Sequence, residues 1–250
     1  MLADIVASLN VPEGGIVVEI GAGTGQLTDA LLAAGHTVVA VEVEERLIPH
    51  LRRRFEGNDR LTIVCGDARD IELGEILPPD RPFCVAGNLP YFAANPIIRH
   101  LLESELRPTE MVVMVQREVA RELAAKPGHA SLLTISVQVY AEVEMLFDVP
   151  PDAFDPPPAV FSSVVRLTLR EEPLVHLERI EAFFELVART FRNPRKQIHN
   201  GLSRGVWLPK GGAEEALAEA GIDPMRRAET LTIPEWLKLL DCCEAIRARA

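Results

Sequence analysis

The chain has 250 residues, 48% of them hydrophobic and 25% charged, with a formal charge of −11. That is enough apolar material for one medium domain with a small appendage, and too acidic a balance for indiscriminate nucleic-acid binding, which needs Lys and Arg against phosphates. No stretch reaches the roughly 18 apolar residues of a membrane helix, and Met1-Leu2-Ala3-Asp4 lacks the basic start of a signal peptide, so a cytoplasmic protein with no membrane attachment is expected. The cysteines Cys65, Cys84, Cys242 and Cys243 form no C-x-x-C pair and have no His at ligand spacing. Neither a metal site nor a disulfide framework is expected, and Cys65 and Cys84 should pack within strands.

In chain order, Ile16 to Ile20 reads as a buried strand that runs into Gly21-Ala22-Gly23-Thr24-Gly25 and then a helix whose apolar face carries Leu27, Ala30, Leu31 and Ala34. Gly35 suits the C-terminal cap of that helix. Strand, glycine turn and helix form a nucleotide-type cradle. Gln26 occupies the position where a dinucleotide fingerprint places its third glycine, which argues against a nicotinamide dehydrogenase. A second strand, Thr37 to Val41, ends at Glu42, about twenty residues after the glycines, where a carboxylate can take both hydroxyls of a ribose. The next helix turns Leu47, Ile48, Leu51 and Phe55 inward, and Arg52 to Arg54 read most simply as its solvated face. A third strand, Leu61 to Val64, leads to Gly66-Asp67-Ala68. Asp67 suits either a hydrogen bond from an adenine amino group or an ordinary loop cap.

The fourth apolar run, Phe83 to Ala86, stops at Asn88-Leu89-Pro90-Tyr91. At the carboxyl end of a parallel strand these residues would stand where open α/β sheets bind ligands. Their chemistry suits an exocyclic amine such as adenine N6, whose lone pair is delocalised into the ring. Such a nitrogen needs acceptors rather than a base: the Asn88 side-chain oxygen and the Leu89 carbonyl can take its two N–H bonds. Tyr91 can stack on the base and Pro90 stiffens the turn. The same four residues also suit a plain strand-ending turn.

Met111 to Val115 reads as a fifth buried strand, and Leu133 to Tyr140 with Val160 to Leu169 as an antiparallel sheet edge. Between them Pro150, Pro151, Pro156, Pro157 and Pro158 make a stiff extended loop. From Glu178 the spacing turns helical, with Ile180, Phe183, Phe184, Val187, Ala188 and Phe191 forming a core stripe. Further helices are expected near Lys196 to Leu202 and Ala213 to Ala220, and a last one opens with the capping box Thr232-x-x-Glu235. Residues 187 to 210 hold Arg189, Arg192, Arg195, Lys196, Arg204 and Lys210 with no acidic residue. In an acidic protein that block reads as an RNA-contacting patch or a solvated face, with Arg189, Arg192, Arg195 and Lys196 as the candidate RNA-binding residues.

Several of these segments together resemble one family. Glu19 to Gly25, Glu42, Gly66-Asp67-Ala68 and Asn88 to Tyr91 are similar to the cofactor and catalytic motifs of the S-adenosylmethionine-dependent ribosomal RNA adenine dimethyltransferases. Gln116 to Gly128, Phe154-Asp-Pro-Pro-Pro-Ala-Val-Phe-Ser-Ser-Val-Val165, Arg195-Lys196-Gln197 with Asn200, and Arg227 to Leu231 extend the resemblance to the end of the chain. It implies a Rossmann-like class I methyltransferase of the α/β class, with a mostly parallel seven-stranded sheet over residues 1–172 and a small all-helical, RNA-binding domain over 173–250.

By this resemblance S-adenosylmethionine would lie against Glu19, Gly21, Gly23, Gly25, Glu42, Asp67, Ala68 and Asn88, with Asn88, Leu89, Pro90, Tyr91 and Phe154 around the target base. Phe154 would supply a second aromatic face. The implied reaction dimethylates two adjacent adenosines in the 3′-terminal hairpin loop of 16S ribosomal RNA, within the 30S pre-subunit, with the protein acting as a monomer.

Two departures accompany it. The family's Gln-Asn-Phe-Leu segment, which covers the cofactor, has no counterpart before Asp4, and cofactor affinity is the property that departure bears on. The family's Tyr-Gly before the sixth strand is missing from Gly128 to Leu133. The competing readings are a macrolide-resistance methylase of 23S RNA, which Leu89 and Pro156 to Pro158 disfavour, and a non-catalytic ribosome assembly factor, which Asn88, Tyr91, Glu42 and Asp67 disfavour.

Overall fold

The computed structural model describes residues 1–249. Five apolar runs form parallel strands: β1 (Ile16–Ile20), β2 (Thr37–Glu42), β3 (Leu61–Cys65), β4 (Phe83–Asn88) and β5 (Glu110–Gln116). Two more, β6 (Ala141–Val149) and β7 (Ser162–Leu169), pair antiparallel with each other, and β7 pairs antiparallel with β5. The order across the sheet is β3-β2-β1-β4-β5-β7-β6. Every residue of β1 is buried, as expected of a parallel strand covered on both faces. The edge strand β3 is not so covered, and Cys65 at its end is exposed rather than packed, while Cys84 in β4 is buried.

The chain winds from β1 outward to β3 and then returns to lay β4 on the other side of β1. The strand order therefore reverses between β1 and β4, which makes their carboxyl ends the crevice where such sheets take ligands. Ile20 is in register with Gly87 there. A Cβ on Gly87 would stand 2.6 Å from the Ile20 carbonyl oxygen, so only glycine lets the two strand ends close up at that point.

Helices α1 (Leu2–Ala7), α2 (Gln26–Ala33), α3 (Ile48–Arg54), α4 (Leu73–Ile76) and α5 (Ala94–Glu103) belong to the same unit as the sheet. The α2 helix buries Leu27, Leu31 and Leu32 and ends in a left-handed Gly35, with the His36 N–H closing onto the Leu31 carbonyl at 3.2 Å. Ala34 faces solvent instead of the core.

The chain divides into two compact units, residues 1–121 with 141–169 and residues 122–140 with those from 170 onward. The chain crosses between units at 121/122, 140/141 and 169/170. The single division expected at 172/173 lies beside the last of these and leaves out the first two, because α6 (Arg117–Leu123) carries the chain out of the sheet unit early. Leu133 to Tyr140 is not an edge strand: Leu132–Gln138 is helix α7. Its start is fixed by a reciprocal cap, in which the Ser131 hydroxyl accepts from the Thr134 N–H and the Thr134 hydroxyl accepts from the Ser131 N–H. Gln138 then donates to the Leu123 and Ala125 carbonyls at 2.9 Å each, tying α7 to the segment before it. The antiparallel partner of β7 is β6, which begins only at Ala141.

The helical unit continues through α8 (Ile180–Phe191), α9 (Ile198–Gly205), α10 (Gly212–Ala220) and α11 (Ile233–Arg249). Phe183 and Val187 of the expected stripe are fully buried, joined by Leu186. Two glycines one turn apart let α9 lie on α8: a Cβ on Gly201 or Gly205 would come within 2.8 or 2.7 Å of the Thr190 or Arg189 carbonyl oxygen. The Thr232 and Glu235 box opens α11, and the Arg226 guanidinium against Glu235 holds that carboxyl down to about 2.

Gly87→Ala should destabilise the protein by about 1–3 kcal/mol, the range for overpacking a tight site. Gly74→Ala, in open space at an exposed helical position, should cost nothing. Urea denaturation of the three proteins checks this, and equal midpoints for Gly87→Ala and wild type would contradict the close-approach account.

Candidate functional site

At the end of β1 the chain makes a turn that only glycine adopts freely: Gly21, Gly23 and Gly25 all have positive φ. Its amides are held from behind. The Glu42 carboxylate accepts the Gly23 N–H at 2.7 Å and the Glu44 N–H at 2.9 Å, while the Gly21 N–H donates to the Val41 carbonyl at 2.9 Å. Glu42 is thus 5% exposed and already shapes the turn; each of its oxygens retains a further lone pair for a ligand hydroxyl. Gly25 has a different job. A Cβ there would lie 2.6 Å from the Phe55 ring, so this glycine is required by packing, and it lines neither cavity described below.

Directly beneath the turn sits Glu19, 1% exposed. The Thr28 hydroxyl donates to its Oε2 at 2.6 Å, and its Oε1 has no partner although it is buried. Burial outweighs the Thr28 hydrogen bond and lifts the carboxyl to about 7. A buried carboxyl with one open oxygen is an acceptor held ready for a cationic or donor group.

Two cavities meet at Gly21. The larger, about 510 Å³, is lined by Glu19, Gly21, Gly23, Asn88, Met114 and Phe154 among others. The smaller, about 120 Å³, is lined by Gly21, Val43, Asp67, Ala68, Pro90 and Phe92. The structure therefore gathers Glu19, two of the three glycines, Asn88 and Phe154 around one space and Asp67 and Ala68 around its neighbour. The residues suit an elongated molecule with an amino-acid end over Glu19 and a flat ring between Val43 and Phe92. Asp67 is paired with Arg69, whose guanidinium holds its carboxyl below the usual range. Phe92, 84% exposed, and Val43 escaped the sequence reading. Their one legible signal was position, each directly following a strand-end motif residue.

Asn88 closes β4 as an exposed side chain. The turn after it is anchored by the Leu89 N–H donating to the Met114 carbonyl of β5 at 3.1 Å, with the Leu89 side chain buried. The Tyr91 hydroxyl lies 2.8 Å from the buried Ser162 hydroxyl at the start of β7, which fixes the orientation of the ring. Phe154, within the proline-rich loop, packs against the apolar core and lines the Asn88 cavity.

In the helical unit Arg192, Arg195 and Lys196 are exposed. Arg189 is committed locally, with one guanidinium nitrogen on the Gly205 carbonyl at 3.1 Å and the other on Glu185 at 2.6 Å. Among the described residues no group of three or more His, Cys, Asp or Glu is placed to hold a metal ion, and no helix is long and apolar enough to cross a membrane.

The profile of the family described as ribosomal RNA adenine dimethylase matches residues 1–244. Proteins named ribosomal RNA small subunit methyltransferase A are similar along nearly the whole chain. That of Dehalococcoides mccartyi strain CBDB1 is 38% identical over 239 residues, covering 96% of this chain and 82% of its own. That of Enterococcus faecalis is 38% identical over 258 residues, covering 98% and 86%. Among solved structures, a dimethyladenosine transferase from Plasmodium falciparum superposes with a TM-score of 0.79 at 26% identity over 95% of this chain and 93% of its own. The 23S rRNA methyltransferase ErmE superposes with a TM-score of 0.75 at 28% identity, covering 97% and 96%.

Glu19 sets a pH dependence. Its folded value near 7 lies above the ordinary 4.5, so between those values the folded state holds more protons than the unfolded one. Stability should fall as pH rises from 4.5 through 7, by about 3 kcal/mol from this group, and level off above. Glu19→Gln should remove that slope. Urea denaturation at pH 5, 6, 7 and 8 checks it, and parallel profiles for the two proteins would contradict the buried-carboxyl assignment.

Proposed function

The chain belongs to the ribosomal RNA adenine dimethylase family, and from that membership we propose that it dimethylates N6 of adenosines in 16S ribosomal RNA of the 30S pre-subunit, as a cytoplasmic monomer. It is a methyltransferase of the class I α/β fold, and its methyl donor is S-adenosylmethionine. The observation that carries the substrate reading is the shared cavity: Asn88 and Phe154 face the same space as Glu19 and the glycine turn. The names of the relatives at 38% identity favour small-subunit RNA over the 23S substrate of ErmE.

S-adenosylmethionine supplies an electrophilic methyl group on a sulfonium. The chain's residues do the rest by holding and orienting. Glu19, with its open Oε1, would receive the ammonium of the donor's amino-acid end, and Gly21 and Gly23 leave room for that end against the backbone. Glu42 would accept from the ribose, and Asp67 with Ala68 would border the adenine, between Val43 and Phe92.

The substrate base must leave its stack to enter the site, which costs least in a loop or single strand. Tyr91, held by Ser162, offers one aromatic face and Phe154 another. The Asn88 side-chain oxygen and the Leu89 carbonyl accept the N6 hydrogens, draw the nitrogen toward tetrahedral geometry and aim its lone pair at the methyl. No strong base is needed, because the nitrogen becomes acidic once alkylated and sheds its proton to water. Positioning and electrostatics dominate such an in-line transfer. The second transfer uses the same acceptors with one N–H left.

The exposed Arg192, Arg195 and Lys196 are proposed as contacts to the RNA backbone. Arg189 would contribute indirectly, through the α8 to α9 packing it secures.

The test is transfer of labelled methyl groups to unmethylated small subunits followed by nucleoside analysis. Wild type should yield N6,N6-dimethyladenosine. Asn88→Ala should lower turnover by about 100-fold or more with the fold intact. Transfer unaffected by Asn88→Ala, or a product methylated elsewhere, would refute the reading.

A further inference from the structure

The rim that carries Asn88 and Tyr91 continues past them. Gln116 at the end of β5 is in register with Ser162 at the start of β7, and Ser162 is the residue that holds Tyr91. One step beyond that pair lies a notch of about 410 Å³ lined by Gln116, Arg117, Glu118, Arg121, Val160 and Phe161. The Arg117 N–H donates to the Phe161 carbonyl at 3.0 Å, and its guanidinium lies 4.4 Å over the Phe161 ring.

The guanidinium is also held 3.8 Å from Asp148, which in turn accepts from the Ser163 hydroxyl. Ser163, Asp148, Arg117 and Phe161 thus form a connected chain that ends in a stacked, flat, cationic surface. Phe161 is 39% exposed and its neighbour Val160 is 43% exposed, two consecutive apolar side chains left facing solvent beside the site. An aromatic ring serving only the core would be covered, and a guanidinium serving only Asp148 would not need the ring.

We propose that this notch is a second nucleotide subsite, in which a base flanking the target adenosine stacks on the Arg117 and Phe161 pair. The inference rests on the reading of the neighbouring site as an adenosine methylation site. Unstacked bases in RNA loops are held on aromatic rings and on Arg guanidinium planes, because every base presents a π face, and cation and ring together strengthen the stack. The notch has room for one nucleotide. Arg121, exposed at its edge, offers a charge to the adjoining phosphate, and Glu118 beside it disfavours a phosphate in the notch itself. Occupancy would splay the flanking nucleotide away from the target, so that the two bases no longer stack on each other and the target is free to enter the Asn88 cavity. The subsite therefore acts on substrate binding rather than on the chemical step.

The test compares wild type with Phe161→Ala, Phe161→Trp and Arg117→Met in two measurements. These are methyl transfer to unmethylated small subunits, and binding of a fluorescein-labelled oligoadenylate by anisotropy. Phe161→Ala should raise KM for subunits and weaken oligoadenylate binding, each by about tenfold, with kcat within twofold and S-adenosylmethionine affinity unchanged by calorimetry. Arg117→Met should act in the same direction, and Phe161→Trp, which preserves the stacking face, should stay near wild type. Phe161→Ala and Arg117→Met behaving as wild type in both measurements would overturn the subsite. A KM effect without an effect on oligoadenylate would assign the notch to a ribosomal protein and overturn it equally. Absence of any transfer by wild type would instead refute the adenosine methylation reading, and the subsite would fall with it.

Discussion

The close approach of β1 and β4 is the constraint on which the site depends. At Gly87 the strands are near enough that a single added carbon would collide with the Ile20 carbonyl. This contact sets the end of β1, where the chain turns through glycines, beside the end of β4, where it turns through Asn88 and Pro90. The strand order reverses at the same place, so neither end is roofed by a crossover helix. A donor in one turn and a base in the other would then be neighbours because the strands are neighbours.

Behind the glycine turn the protein keeps two carboxyls for different work. Glu42 braces the turn by accepting one backbone N–H on each oxygen and keeps a lone pair on each for a ligand hydroxyl. Glu19 is half-satisfied, and burial has moved it to the edge of neutrality. A buried oxygen without a partner is costly, and an ammonium group seated against it would relieve that cost. The same division recurs along the rim: Ser162 braces Tyr91 while leaving its ring available, and Asp148 braces Arg117 while leaving its stacked face available.

Much of this was legible in the residues. Parallel strands covered on both faces appear as continuous apolar runs, so β1, β2, β4 and β5 and the motifs at their ends could be placed directly. The edge was harder. Leu133 to Tyr140 is rich in β-branched residues and reads as a strand; the cap that makes it helical pairs Ser131 with Thr134 in place of the usual Glu or Gln. Cys65 follows an apolar run but closes an edge strand, so its exposure depends on what the sheet has beside it. Gly25 sits in the glycine motif, yet its requirement comes from Phe55, thirty residues away. Arg189 reaches the Gly205 carbonyl because Gly201 and Gly205 admit α9 against α8. Phe92 and Phe161 look like core residues in any composition count, and only the folded chain exposes them.

The central claim is that the β1 and β4 ends form one donor site with Glu19 as its charged anchor. Calorimetric titration of S-adenosylmethionine near pH 7, repeated in buffers of different ionisation enthalpy, tests it most directly. The account predicts a single site whose binding releases a proton as Glu19 ionises against the bound ammonium, with that release lost and affinity weakened in Glu19→Gln. Binding with no proton release, or with the same affinity and proton release in Glu19→Gln as in wild type, would contradict it.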